Sequence, residues 1–212
     1  RPPRSTLFPY TTLFRSLLFT DIPLASPAPS AMASSSVDGS HKLKNAPVPS
    51  AGVGKEIGDF KSGKHTMTSA GLEREYIIDI PENYDKSTPH RLIFAMHMMG
   101  GSMQTMVDNN FYGLKTYAQK DNVPVIFVAP QGYTDRSPWR GGDDKDHIFF
   151  ADMLTLFKNK LSVDTSRLFC CGFSFGAMVT YSLSLDFQED LRAVACYASA
   201  NWNIYLPDNE HK

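Results

Sequence analysis

The chain has 212 residues, a net charge of −1 and a pI near 6.6, and 42% of it is hydrophobic. One domain of moderate size with a packed core is the natural expectation. The near-neutral balance gives no electrostatic ground for nucleic acid or an anionic membrane as partner, and no apolar run reaches membrane-spanning length.

Residues 1–16 contain a near repeat, Thr6-Leu-Phe-Pro-Tyr10 and Thr12-Leu-Phe-Arg-Ser16. They resemble a translated sequencing adaptor, to be set aside in any reasoning about the fold. Residues 17–33 pass from Leu17-Leu-Phe-Thr20 to the A-x-A-like Ala31-Met-Ala33. Two readings fit this stretch, the tail of a secretory signal and a Pro/Ala/Ser-rich linker. Residues 34–55 show no hydrophobic periodicity, so residues 1–50 read as a non-globular tail and 51–212 as the folded part.

From Gly63 the pattern is globular. Thr66–Ser69 and Arg74–Ile80, separated by Ala70-Gly71, predict a β-hairpin. Arg91–Met96 reads as a buried strand, Phe111–Gln119 as a helix and Val123–Ala129 as a second buried strand. Between Asp144 and Leu161, apolar residues at 150, 153, 154, 157 and 161 define an amphipathic helix. Asp143, Asp144 and Asp146 at its start suit the helix dipole, and His147 reads as a surface residue. A strand over 167–171, a helix over 177–183 and a strand over 191–197 complete the series. Strands alternating with helices, the strands apolar almost throughout, argue a mostly parallel sheet covered on both faces. Cys170, Cys171 and Cys196 make neither a disulfide framework nor a spaced zinc site, and Cys170 and Cys171, on the strand ahead of residue 172, read as buried thiols.

Between the 167–171 strand and the following helix lies Gly172-Phe-Ser-Phe-Gly176. G-x-S-x-G in a strand–turn–helix context is a nucleophile elbow: the turn thrusts the serine hydroxyl into a cleft, and glycines keep Cβ atoms out of its way. Ser174 is therefore the candidate nucleophile. The helix that follows makes the Phe175 N–H a candidate oxyanion donor. The second donor falls in the loop after the Arg91–Met96 strand, at Met98 or Met99.

Several stretches together resemble the fungal feruloyl esterase (type C) and polyhydroxybutyrate depolymerase-like group of secreted α/β-hydrolases. They are Arg74–Tyr84, Arg91–His97, Gly100-Gly-Ser102, Pro130-Gln-Gly132, Trp139 with Gly141-Gly142, and Gly172–Gly176. The resemblance implies an α/β-hydrolase fold and a serine carboxylesterase acting on hydroxycinnamate esters of plant cell-wall polysaccharide, outside the cell. No cofactor, metal, nucleic acid or membrane partner is implied. Polyhydroxybutyrate depolymerase and acetyl xylan esterase share the scaffold, and a non-catalytic carbohydrate- or partner-binding relative is the alternative of another class. Two departures from the pattern stand out: His97 is followed by Met98-Met99, and Val53, Ser162 and Leu185 stand where the group has cysteines.

Trp139 and Gln131 are substrate-cleft candidates, Trp139 fitting equally a role in packing under a loop. His97 precedes the serine, whereas this fold orders its triad Ser, acid, His, so a structural role is expected for it. Downstream of Ser174 the acids are Asp186, Glu189, Asp190, Asp208 and Glu210, and the histidine is His211. The first three fall on or just after the elbow helix, away from a cleft, and His211 is penultimate. The sequence therefore reads as an α/β-hydrolase whose C-terminal part, with the triad acid and base, is missing, and which alone has little activity.

Overall fold

The computed structural model describes residues 45–134 and 136–207. The adaptor-like repeat, the 17–33 segment and His211 lie outside the described residues. Six strands form one sheet in the order β1-β2-β4-β3-β5-β6. They are β1 (Gly63–Ser69), β2 (Leu72–Asp79), β3 (His90–Met96), β4 (Val125–Pro130), β5 (Val163–Phe173) and β6 (Leu191–Tyr197). Among the described residues the helices are α1 (Met103–Asp108), α2 (Leu114–Lys120), α3 (Lys145–Lys160) and α4 (Phe175–Asp186).

β1 and β2 form the expected hairpin. Ala70 and Gly71 both have positive φ, 49° and 74°, the pairing that a two-residue turn needs to match strand twist. β2 lies antiparallel to β4, while β4, β3, β5 and β6 are mutually parallel. The strand series runs outward from β3 to β4 on one side and to β5 and β6 on the other. The C-terminal ends of β3 and β5 thus flank the point where strand order reverses, the crevice where open α/β sheets place their sites.

Two apolar layers sandwich the sheet. One joins Phe94 and Met96 to Phe150, Met153, Leu154 and Phe157 of α3 and to Met178 and Val179 of α4. The other joins Ala95 and Phe127 to Met103 and Met106 of α1 and to Phe111. The three- and four-residue spacing read in the sequence is thus the face that α3 buries.

Three local features differ from the sequence reading. α1 has no strong periodicity and is set by its ends: the Ser102 hydroxyl accepts the Thr105 N–H, and the Gln131 Oε1 accepts that of Met103 at 2.9 Å. Phe111 and Tyr112, read as helix, instead sit in a left-handed turn ahead of α2, with φ of 53° and 59°. β6 is an edge strand: Ala193, Val194 and Tyr197 are exposed, and among the described residues no strand pairs with its outer side.

Asp146 also does more than the dipole reading suggests. It lies in the first turn of α3, but its carboxylate is buried against Arg74 Nη2 at 2.8 Å and accepts the Arg140 N–H at 2.6 Å. The guanidinium is itself held between the rings of Tyr133 and Phe149, each 4.1 Å away. Burial pushes the Asp146 carboxyl up and the adjacent Arg74 charge opposes that. Asp146→Ala would leave the buried Arg74 cation with the neutral Tyr133 hydroxyl and Gln131 carbonyl but without its carboxylate, and a loss of about 3–5 kcal/mol in urea denaturation is expected. A change below about 1 kcal/mol would show that water reaches the guanidinium.

Candidate active site

β5 leads directly into the elbow. Ser174 has φ 54° and ψ −120°, a backbone conformation that a non-glycine residue occupies at a cost of about 1–3 kcal/mol. The strain is held from both sides. Its N–H donates to the Tyr197 carbonyl on β6 at 2.9 Å, and its carbonyl accepts the Met178 N–H of α4 at 3.0 Å. The two motif glycines are required by contact. A Cβ on Gly172 would stand 2.3 Å from the carbonyl carbon and oxygen of Gly176, and a Cβ on Gly176 would stand 2.0 Å from the Met96 carbonyl oxygen. The elbow is therefore pressed against the end of β3, where the 97–101 loop departs. That sets Ser174 and the Phe175 amide, at the first turn of α4, beside the end of β3 where the loop of Met98 and Met99 begins. Helix geometry leaves the Phe175 N–H without an intrahelical acceptor.

The loop is shaped by backbone bonds. The Met98 carbonyl accepts the Gly101 N–H at 3.0 Å, with Gly100 at φ 76° between them, so the turn does not depend on the methionine side chains. Met98 packs toward the α1 layer, and Met99 is exposed. His97 is wholly buried, as its expected structural role requires. Its Nε2 accepts the Gly132 N–H at 2.9 Å, so the ring proton resides on Nδ1, which donates to the Met98 carbonyl at 2.9 Å. His97 thereby ties the 97–101 loop to the Gln131-Gly132 loop.

The two cleft candidates are placed in this framework rather than at an open surface. Trp139 is 0% exposed, and its indole N–H donates to the His97 carbonyl at 2.9 Å. In this position the ring packs beneath the loop, the other role the sequence allowed, and cannot stack on a ligand. The Gln131 amide caps α1 and bonds the Gly132 carbonyl.

Aromatic surface near the serine comes from residues that the sequence reading did not single out. Phe173 and Tyr197 are neighbours across β5 and β6, and are 43% and 57% exposed. The motif itself carried the signal. Phe173 follows Cys171 by two positions on a strand, so it shares that face but lies beyond the helix that covers Cys171.

Each described histidine is engaged elsewhere. His65 bonds the Lys61 carbonyl, and His90, the first residue of β3, bonds that of Ser162. His147 is buried, contrary to the surface position expected. Its Nδ1 lies 2.8 Å from Asp186 Oδ2 and its Nε2 2.7 Å from Ser182 Oγ. This Ser–His–Asp set copies a triad in connectivity alone: Ser182 is 0% exposed in the middle of α4, and its hydroxyl donates to the Tyr205 carbonyl. Its physical role is to clamp α3, α4 and the 201–207 segment together. Among the described residues no hydrogen bond to the Ser174 hydroxyl is recorded, and no group of His, Cys, Asp or Glu side chains is placed to hold a metal. Burial pushes the Cys171 thiol up to about 12 and raises that of Cys170 as well, so both behave as inert core groups. A cavity of about 490 Å³ opens at the opposite end of the sheet, where β4 begins, and contains none of the candidate site residues.

The fold and elbow are those of an α/β-hydrolase. No family profile matches the chain. It is similar in sequence to fungal feruloyl esterases of types D and C. One is feruloyl esterase D of Neurospora crassa, 31% identical over 73% of this chain and 55% of that protein. Another is feruloyl esterase C of Emericella nidulans, 36% identical over 63% and 50% respectively. The chain spans about half the length of the curated relatives it matches. Among solved structures it resembles a ferulic acid esterase of Anaeromyces mucronatus in complex with ferulic acid. That match has a TM-score of 0.54 and 18% identity over 76% of this chain and 66% of the other, a likeness of fold. No helix of the described residues is long and apolar enough to cross a membrane.

Proposed function

We propose that the polypeptide carrying this chain is a serine esterase that cleaves hydroxycinnamate esters, feruloyl esters above all, from plant cell-wall polysaccharide. The strained backbone of Ser174 at the sheet's switch point is the observation that carries this reading. In the reaction, Ser174 Oγ attacks the ester carbonyl as its proton passes to a base. The N–H of Phe175, with that of Met98 or Met99, receives the developing oxyanion. The sugar alcohol departs with a proton, and water then hydrolyses the acyl-enzyme to release the hydroxycinnamic acid and free Ser174. The base and its carboxylate are assigned to residues outside those described, since each described histidine has another role. A polymer of the plant wall as substrate places the enzyme outside the cell, with residues 1–50 as a tail to a catalytic domain beginning near 51.

The acyl group is recognised, in this reading, by the exposed aromatic pair Phe173 and Tyr197. Feruloyl, acetyl and hydroxybutyrate esters offered to the longest natural polypeptide that contains this chain provide the test, with kcat/KM highest for the feruloyl ester. Phe173→Ala is expected to lower kcat/KM for methyl ferulate about 5- to 10-fold, the scale of one aromatic contact, and to leave the acetyl ester nearly unchanged. Equal losses on both esters would remove Phe173 from acyl recognition. Preference for the acetyl ester would favour the reading suggested by the more distant bifunctional acetylxylan esterase/xylanase of Neocallimastix patriciarum, 26% identical over 69% of this chain and 20% of that protein.

A further inference from the structure

Residues 110–113 form a left-handed turn in which Asn110, Phe111 and Tyr112 have φ of 54°, 53° and 59°, followed by Gly113 at 78°. Three successive non-glycine residues in this region are unusual, because each brings its Cβ against the following carbonyl. Two anchors hold the turn. The Phe111 ring is wholly buried and stacks on Phe127 with centroids 4.8 Å apart, and the Tyr112 N–H donates to Asn109 Oδ1 at 2.9 Å. The turn delivers one functional group. The Tyr112 hydroxyl donates to the Met96 carbonyl at 2.7 Å and accepts the Phe173 N–H at 3.2 Å.

Those two partners define the position. Met96 lies opposite Gly172 in the parallel β3–β5 ladder, so its carbonyl and the Phe173 N–H belong to the ladder's last rung. One residue beyond, the two strands part: β3 into the oxyanion loop, β5 into Ser174. The Met96 carbonyl is also the atom on which the elbow rests at Gly176. A single hydroxyl thus bridges the strand that carries the nucleophile and the strand that carries one oxyanion donor.

We propose that Tyr112 is a positioning residue for acyl transfer: its hydroxyl, set at the point where β3 and β5 diverge, fixes the spacing between Ser174 and the two halves of the oxyanion hole. This rests on the reading of Ser174 as nucleophile. Burial pushes the phenol up to about 12, so the group keeps its proton, and its donor role, throughout the working range of such an enzyme. Loss of the bridge frees the end of β3 to drift from the elbow, and misplacement on the order of 1 Å in such a constellation costs about 100-fold in rate.

The test is Tyr112→Phe in the longest natural polypeptide that contains this chain. The ring and its packing remain and only the bridge is removed. Hydrolysis of methyl ferulate should show kcat reduced about 10- to 100-fold with KM within about twofold, the pattern of an interaction made in the transition state. Phenylboronic acid, which forms a tetrahedral adduct on a serine oxygen, should lose affinity by the same factor as kcat. A purely structural tyrosine would instead lower the melting temperature while leaving kcat and boronate affinity at 25 °C unchanged, and that outcome overturns the inference. Should Tyr112→Phe fail to fold, Asn109→Ala loosens the turn with the tyrosine intact and should move kcat and boronate affinity in the same direction. Ser174→Ala run in parallel separates the two ideas. Full activity in that variant removes the nucleophile reading, whereas a dead Ser174→Ala beside a fully active Tyr112→Phe removes this inference alone.

Discussion

Ser174→Ala in the longest natural polypeptide that contains this chain is expected to reduce kcat on methyl ferulate by about 10⁴- to 10⁶-fold, with the fold intact. The size follows from what is removed. Without the hydroxyl no acyl-enzyme forms, and only the oxyanion donors and substrate binding persist, a remnant of roughly 10³- to 10⁴-fold over water. Stability should move by less than about 0.5 kcal/mol, because alanine at φ 54° carries much the same backbone strain and no hydrogen bond to the Ser174 hydroxyl is recorded among the described residues. Progress curves with methyl ferulate, alongside urea denaturation, check both halves. Turnover above about one-hundredth of the parent rate would show that another group performs the attack.

Gly176→Ala has the largest expected effect on the fold itself. The new Cβ would lie 2.0 Å from the Met96 oxygen, 2.7 Å from its carbonyl carbon and 2.8 Å from the His97 oxygen. All three are backbone atoms at the end of a strand in the middle of the sheet, so none can rotate aside. Either α4 lifts from the sheet or the elbow unwinds, and a loss of about 4 kcal/mol or more is expected, beyond the usual range for point substitutions. Activity should vanish with it. Gly142→Ala is the matching control, since a Cβ there meets nothing within 4 Å. Urea midpoints for the pair decide the matter: a Gly176→Ala variant as stable as Gly142→Ala would mean that the elbow does not rest on β3 as described.

The alternation of strands and helices, the hairpin at Ala70-Gly71 and the elbow were legible because each is written in local sequence: a period of two, a period near four, a glycine frame. The buried face of α3 followed from spacing alone. What stayed hidden depends on partners distant in the chain. α1 owes its start partly to the side chain of Gln131, which adds to the local Ser102 cap, and no window around Met103 contains that partner. Asp146 looked like a dipole carboxylate because Arg74, its partner, lies 72 residues earlier on β2. His147 looked exposed because helical position does not show that Ser182 and Asp186 of another helix close over it. The left-handed turn at Asn110–Gly113 opposed local preference outright, since Phe111 and Tyr112 suit a helix and only their anchors hold them out of one. Trp139 read as a possible cleft ring, yet its N–H was committed to the His97 carbonyl.

The hydrogen bond from the Ser174 N–H to the Tyr197 carbonyl joins the elbow to β6, the outermost strand among the described residues. Outermost strands fray first, because one side of their ladder is unsupported. Bracing the outer side of β6 would therefore steady Ser174, and peeling that strand would slacken the serine before it unfolded the core. The backbone geometry of Ser174 is in this sense tied to the outermost described strand.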